Sequence, residues 1–377
     1  LSQSPGFFLT IIAFALVLGP LVFLHELGHY LAGRLFGVKA EAFSIGFGRE
    51  IAGFTDRRGT RWKFGWLPLG GYVRFAGDMN PASQPTPEWL ALPADERART
   101  FQAKSLWQRA IIVAAGPFTN FLIAIVILAT FAGVYGVDRT PPVVGAVMEG
   151  SAAAKAGLEP GDRITAIGGR HVSTYKDLAQ YTVMRPGERV SLDIVRNGSP
   201  RAMEVTLDVH REVDRFGNEY RMGRLGVANG SPVLEKVGAL GAIGAGASQT
   251  VDVIRGTLDG LGQMITGRRS IDELGGPVRI ADMAGEQLTL GWQPLIFFIA
   301  MISINLGFIN LLPVPVLDGG HLLFYAVEAV RRRPVGPEAM EWAFRGGLAA
   351  ILALFLIVTF NDLDAFGLWH GLAGLIG

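Results

Sequence analysis

The chain has 377 residues, half of them hydrophobic and only 18% charged, with a formal net charge of +1. Soluble domains usually carry about a quarter charged residues, and the basic residues here form no stripe with aromatics, which speaks against a nucleic-acid partner. Cysteine is absent, which excludes disulfides and thiolate ligands and leaves His, Asp and Glu to hold any metal.

Phe7 to Leu24 carries no charge, and His25-Glu26-Leu27-Gly28-His29 follows directly. The run to about His29 is long and apolar enough for a membrane span. It lacks the basic start and small-residue cleavage site of a signal peptide. On a helix, HExxH places both histidines on one face, a turn apart, where both reach a single zinc ion. Glu26 is then placed as general base towards a water that the metal activates. Ionisable groups at membrane depth are costly, so three together point to function.

Residues 34–105 divide in two. Short strands are expected at Glu41–Ile45 before Gly46-Phe47-Gly48, at Arg61–Leu67, and at Tyr72–Phe75 after Gly70-Gly71. These hairpins either dip into the membrane through Trp62, Phe64 and Trp66 or form a plain cytoplasmic domain. Asp78–Arg99, rich in Pro, Ser and acidic residues, reads as a mobile polar loop. A second span lies within Ala110–Val137.

Pro141 to about Ala228 reads as a compact soluble domain. A strand at Val143–Val147 precedes a short helix, Ser151–Ala156, with Ser151 as N-cap. Gly157 and the turn Pro160-Gly161-Asp162 end it. Next come a strand at Arg163–Ile167 and a helix at Thr174–Met184. Val190–Val195 and Met203–Leu207 form a hairpin across Asn197-Gly198. The order resembles PDZ domains of bacterial periplasmic proteases, through Gly150–Ala153 and Ala156–Asp162. Such domains either capture an extended peptide or block access by size. Further on, Val251, Ile254, Leu258, Leu261 and Ile265 recur at helical spacing. That helix lies on the outer membrane surface or packs under the PDZ-like domain.

A third span lies within Gly291–Leu317 and ends in Asn310-Leu311-Leu312-Pro313-Val314-Pro315-Val316-Leu317-Asp318-Gly319-Gly320-His321. The two prolines remove helical donors, so the helix must unwind there, while Gly319 and Gly320 permit a tight turn. Irregular backbone at membrane depth is tolerated where it lines a cavity or is buried in protein. Asp318 is the leading third metal ligand, and His321 is a competitor on chemistry alone. Gly346–Asn361, at 16 residues, is the shortest span candidate. Basic flanks (Arg34 and Lys39; Lys104 and Arg109; Arg331 to Arg333) place the HExxH end in the cytoplasm and the PDZ-like domain outside.

HELGH in span one, Gly116-Pro117-Phe118-Thr119-Asn120 in span two, a PDZ-like insert and NLLPVPVLDGGH after span three resemble the site-2 protease family over nearly the whole chain. The resemblance implies that His25, His29 and Asp318 bind Zn2+ and that Glu26 is the catalytic base. It implies that Asn310, Pro313 and Pro315 contact the substrate backbone and that Gly116 and Asn120 let span two approach the site. Gly46, Phe47 and Gly48 belong by the same resemblance to a membrane-reentrant β-loop that offers an edge strand to unwound substrate. The best-known members carry two tandem PDZ domains, and one is found here.

The expected fold is therefore an α-helical polytopic membrane protein of about four transmembrane helices. It has a membrane-associated β-hairpin region and one extracytoplasmic PDZ-like α+β domain. The divisions are span one (1–33), the β region and polar loop (34–105), span two (106–138), the PDZ-like domain (139–228), a periplasmic amphipathic helical segment (229–290), span three (291–330), and a basic loop, span four and tail (331–377). The expected activity is hydrolysis of single-pass membrane proteins within the bilayer of the bacterial inner membrane. By resemblance the substrate is an anti-sigma factor already cut outside, with remnant signal peptides as a further class. An inactive scaffold holding membrane partners through its PDZ-like domain is one rival class, and intact Glu26 and Asp318 argue against it. A zinc-dependent membrane hydrolase acting on something other than membrane spans is the other, and HExxH beside a broken third span argues against that.

Overall fold

A computed structural model describes residues 6–77, 89, 91–213, 219–267 and 275–365. In chain order its elements begin with α1 (Phe7–Leu35), β1 (Ala40–Thr55), β2 (Arg61–Phe75) and α2 (Leu106–Tyr135). There follow β3 (Ala146–Val147), α3 (Ala152–Lys155), β4 (Arg163–Ile167), β5 (Arg170–His171), α4 (Tyr175–Val183), β6 (Arg189–Arg196) and β7 (Ser199–Thr206). Next are β8 (Asp208–Val213), β9 (Glu219–Arg224), β10 (Val227–Ala228), α5 (Ala239–Ile265) and α6 (Pro277–Leu290). The last are α7 (Trp292–Asn310), α8 (Asp318–Arg331) and α9 (Pro337–Ala365). Most of the expected polar loop 78–99 lies outside the described residues, though Ala94–Arg97 form one helical turn.

Four of these helices, α1, α2, α7 and α9, are long and apolar enough to cross a membrane. The fourth is nearly twice the length expected, because charges bound an apolar stretch without ending a helix. Arg345 pairs with Glu341 one turn earlier, which supports the helix. Its far end carries Asp362, whose buried carboxylate accepts the Gly276 and Arg279 N–H groups at 3.0 and 3.1 Å. A carboxylate from one helix thus caps the N-terminus of another, α6, satisfying two donors that the helix itself leaves open.

The chain forms two compact units, and the first comprises residues 1–128, 247–258 and 274–362. Its organising element is α1, whose buried row Ala13, Val17, Leu21, His25 recurs every four residues. The lower part of this row packs with Ala284 of α6 and Leu295 and Phe298 of α7. The same stripe that carries apolar packing therefore turns polar at His25, without leaving the protein interior. Segment 229–290 holds two helices: α6 buries Ala284 in that cluster, and Val253 and Ile254 of α5 pack on Ala124, Leu128, Ala300 and Ile304.

The expected short strands are two long ones, each folded at glycines in the left-handed region (Gly46, Gly48 and Gly70, φ +83 to +86°). Glycine adopts these angles without the steric penalty of a side chain. As a result Ala42–Ile45 pairs twice, with Arg74 to Gly71 on one side and with Arg61 to Phe64 on the other. Ala52–Thr55 pairs in turn with Phe64 to Arg61. Two chain strands thus make a four-segment sheet whose outer segments are 71–75 and 52–55. Phe43 and Phe75 join Tyr30 and Ile112 in a buried cluster that seats the sheet against α1 and α2.

The second unit comprises residues 129–246, 259–273 and 363–377. A four-stranded sheet in the order β5-β4-β6-β7 encloses Val144, Ile164, Ile167, Leu178, Leu192, Ile194 and Val205. Ser151 Oγ accepts the Ala154 N–H, as expected of an N-cap. Thr174 and Asp177 close a reciprocal capping box on α4. Asn197 and Gly198, at φ 49° and 79°, form the two-residue turn between β6 and β7. The β8–β9 hairpin had no clear signal, because Asp208–Arg224 carries charge on both faces.

Candidate metal centre

Three side chains converge at the upper end of the α1 row. His25 Nε2 lies 3.2 Å from His29 Nε2, and Asp318 Oδ2 lies 3.3 Å from the first and 3.5 Å from the second. Both histidines are buried, at 7% and 8% exposure. Among the described residues this is the group of side chains placed to hold a metal.

The donor set fits zinc. Donors at about 2.0–2.1 Å from a tetrahedral centre lie roughly 3.3–3.4 Å from one another, the spacing found here. His29 Nδ1 lies 2.9 Å from the Ile112 carbonyl oxygen. A carbonyl only accepts, so Nδ1 carries the proton and Nε2 presents a bare lone pair towards Asp318. Lone pairs and a carboxylate gathered in a buried site are stabilised by a cation.

Backbone close approach makes room for the group. A Cβ on Gly116 would lie 2.2 Å from His29 Nε2 and 2.8 Å from His25 Nε2, within the space the ligands share. On the facing helix a Cβ on Gly28 would lie 2.4 Å from Thr119 Oγ1 and 2.6 Å from the Ala115 oxygen. Small residues at this crossing let α1 and α2 touch, as membrane helices commonly do.

Asp318 arrives from the other side. Helix α7 stops at Asn310 and α8 starts at Asp318, and the prolines lie in the seven residues between. Gly319 and Gly320 sit in the first turn of α8 and serve close packing, not a turn. Added Cβ atoms would meet the Leu311 and Leu312 oxygens and the Val314 oxygen at 2.3–2.4 Å. Val316 holds φ +91°, a strained setting for a β-branched residue, costing on the order of 1–3 kcal/mol. His321 faces the same cavity but lies against Phe344, its ring tilted 57° to the phenyl plane, and it does not join the three donors.

The family model for peptidase family M50 matches residues 13–354. The chain belongs to peptidase family M50. As a member it is a zinc-dependent metalloprotease, and its four apolar helices make it a membrane protein. It is 46% identical over 360 residues to "Putative zinc metalloprotease Atu1380" of Agrobacterium fabrum, covering 94% of this chain and 96% of that one. It is 35% identical over 394 residues to "Metalloprotease MmpA" of Caulobacter vibrioides, covering 98% and 99%. Among solved structures, the PDZ domain of the SdrC-like protein of Listeria monocytogenes matches 26% of this chain and 93% of its own, at 20% identity and TM-score 0.20.

Around the three donors this M50 chain encloses a cavity of about 460 Å³. Glu26 lines it, 9% exposed, and packs on Gly71, where a Cβ would come within 3.0 Å of its Cγ. Val73 lines the cavity beside it. The outer sheet segment, with Gly70 to Val73, therefore forms one wall of the cavity, and Asn310, Val316 and Leu317 form another. Of the residues expected to contact substrate, Asn310 and Phe47 line the cavity. Asn310 Nδ2 donates to the Leu306 carbonyl at 3.0 Å. Gly46 and Gly48 shape the fold of β1, Pro313 and Pro315 shape the break, and Gly116 and Asn120 face the histidines. Ile112, Val73 and Val316 had no functional signal of their own in the sequence, since each acts through backbone placed by tertiary packing.

Proposed function

We propose that the chain hydrolyses peptide bonds of single-pass membrane proteins at membrane depth, with zinc held by His25, His29 and Asp318. The observation that carries this reading is the convergence of those donors with Glu26 on one cavity, between an apolar helix end and an interrupted span. Zinc bound there supplies Lewis acidity, polarising the scissile carbonyl and making water acidic enough to attack near neutral pH. Glu26 takes the proton of the attacking water and returns it to the leaving amine. The packing on Gly71 holds its side chain at the cavity wall.

A membrane helix shields its own backbone through internal hydrogen bonds, so it must unwind before it can be cut. The sheet segment at Gly70–Val73 is suited to receive the unwound strand by β-addition, and Asn310 is suited to contact its backbone. Basic flanks support a cytoplasm-facing centre in a bacterial inner membrane, with the PDZ-like domain outside. By its resemblance to the site-2 protease family, the substrate proposed is an anti-sigma factor already trimmed outside by another protease, with remnant signal peptides as a further class. The test is cleavage of a model transmembrane substrate by the purified protein in detergent or bilayers. Zinc-dependent cleavage within the span supports the reading, and cleavage confined to soluble peptides overturns it.

A further inference from the structure

The family resemblance implies that Asn120 lets span two approach the centre. The structure gives it more specific surroundings. It is fully buried, with 0% exposure, and its amide lies 3.1 Å from His25 Nδ1, on the side of the ring away from the other donors. Ile112, Gly116 and Asn120 are spaced by four and share one face of α2. Along that face the Ile112 oxygen meets His29 Nδ1, Gly116 leaves room for both Nε2 atoms, and Asn120 meets His25 Nδ1. Each histidine thus has one partner on α2 behind it. Ser303 Oγ of α7 donates to the Asn120 backbone oxygen at 2.8 Å, which fixes α2 at that point.

We infer that Asn120 is a positioning residue for His25, accepting the Nδ1 proton so that Nε2 is free to bind zinc; this rests on the metal centre proposed above. The two nitrogens of an imidazole are coupled. A neutral ring that offers its Nε2 lone pair must carry the proton on Nδ1, and Nδ1–H needs an acceptor. Among nearby groups the Asn120 amide oxygen can provide it. Oδ1 is buried and has no other partner among the described residues. The two ends of the amide have nearly the same shape, so a half-turn about the last side-chain bond places Oδ1 on Nδ1–H. If Nδ2 faced Nδ1 instead, the proton would sit on Nε2, 3.2 Å from His29 Nε2 and 3.3 Å from Asp318, and would block ligation.

The experiment compares the full-length protein with Asn120→Leu, Asn120→Ala and Asn120→Asp in detergent. Each is stripped of metal, checked for folding by apo-protein unfolding, and titrated with zinc against a competing chelator. Loss of an outer-shell partner typically costs about 10–100-fold in metal affinity. That loss is expected for the leucine and alanine variants. Asn120→Asp keeps an acceptor oxygen in place and should hold zinc close to the parent value. Ser303→Ala, which loosens packing without touching His25, should also match the parent. If either folded variant lacking the acceptor binds zinc as tightly as the parent, the inference is overturned, and so it is if Asn120→Asp is as weak as Asn120→Leu. A parent protein that binds no zinc overturns the metal centre itself.

Discussion

Asp162 in the PDZ-like unit is a buried carboxylate and Asp318 in the membrane unit a partly buried one, and their surroundings differ in kind. Asp162 is 1% exposed and receives Arg196 through two bonds, Nε to Oδ1 at 2.7 Å and Nη2 to Oδ2 at 2.6 Å. The Glu159 N–H adds a third at 2.9 Å. Arg196 also donates through Nη1 to Glu159 and through Nη2 to the Gly157 carbonyl. Charge and hydrogen bonds close within the Arg196–Asp162 pair, in the bidentate geometry that makes such pairs strong. Asp318 faces two imidazole nitrogens instead, and His29, its Nδ1 held by the Ile112 carbonyl, turns a lone pair towards it. A cluster that satisfies itself is structural, whereas one that gathers electron pairs is built to receive a cation.

The sharpest way to break this comparison is to remove the carboxylate from the second cluster. Asp318→Asn is expected to weaken zinc binding by more than the ~100-fold that loss of an outer-shell partner reaches and to abolish proteolysis. His321→Ala should leave metal content largely intact. Metal analysis of both proteins decides the matter, and retention by the first with loss by the second would reassign the ligand. Next in size is Glu26→Gln, which keeps all three donors. It should hold zinc at the parent level while cleavage falls by about 10²–10⁴-fold, the usual contribution of a general base. Turnover near the parent rate would remove Glu26 from that role.

A smaller effect is expected in the first cluster. The hydrogen-bonded Arg196 guanidinium holds the Asp162 carboxyl below its ordinary value. Its stabilising contribution is therefore complete above the unfolded-state value of about 4. It is lost as the pH falls through the lower folded-state value. Hydrogen exchange of the full chain should show Ile164 and Leu192 amides losing protection along that acid limb. Asp162→Asn should be less protected at neutral pH and lack the limb, while zinc binding stays at the parent level. Parallel acid profiles for the two proteins would contradict the pairing. The smallest effect on chemistry is predicted for removing the PDZ-like unit. A flexible bridge in place of Val143–Val227 should preserve cleavage of a short-tailed membrane substrate and admit a bulky-tailed one that the intact protein rejects. Loss of both cleavages in a folded, zinc-loaded protein would favour peptide capture over size filtering.

Local rules were enough for much of this protein. Uninterrupted apolar length sets the spans, and a spacing of four puts His25 and His29 on one helical face. Prolines 313 and 315 force the break before Asp318. In the PDZ-like unit Ser151, Thr174 and Asn197-Gly198 mark helix starts and a turn through bonds that reach only a few residues. What tertiary structure decided lies at contacts between distant segments. Asp318 rather than His321 meets the histidines, because the packing of Gly319 and Gly320 on the broken segment sets which face of α8 turns inward. Asn120 stands behind a histidine because two helices cross where Gly28 and Gly116 permit it. The strands near Gly46 and Gly70 make one four-segment sheet because Ala42–Ile45 pairs on both sides. Helix α6 packs in the interior, with an N-terminus satisfied by a carboxylate 86 positions further along the chain. Periodicity and propensity describe a residue's near neighbours, and each of these outcomes depends on which remote surface arrives opposite it.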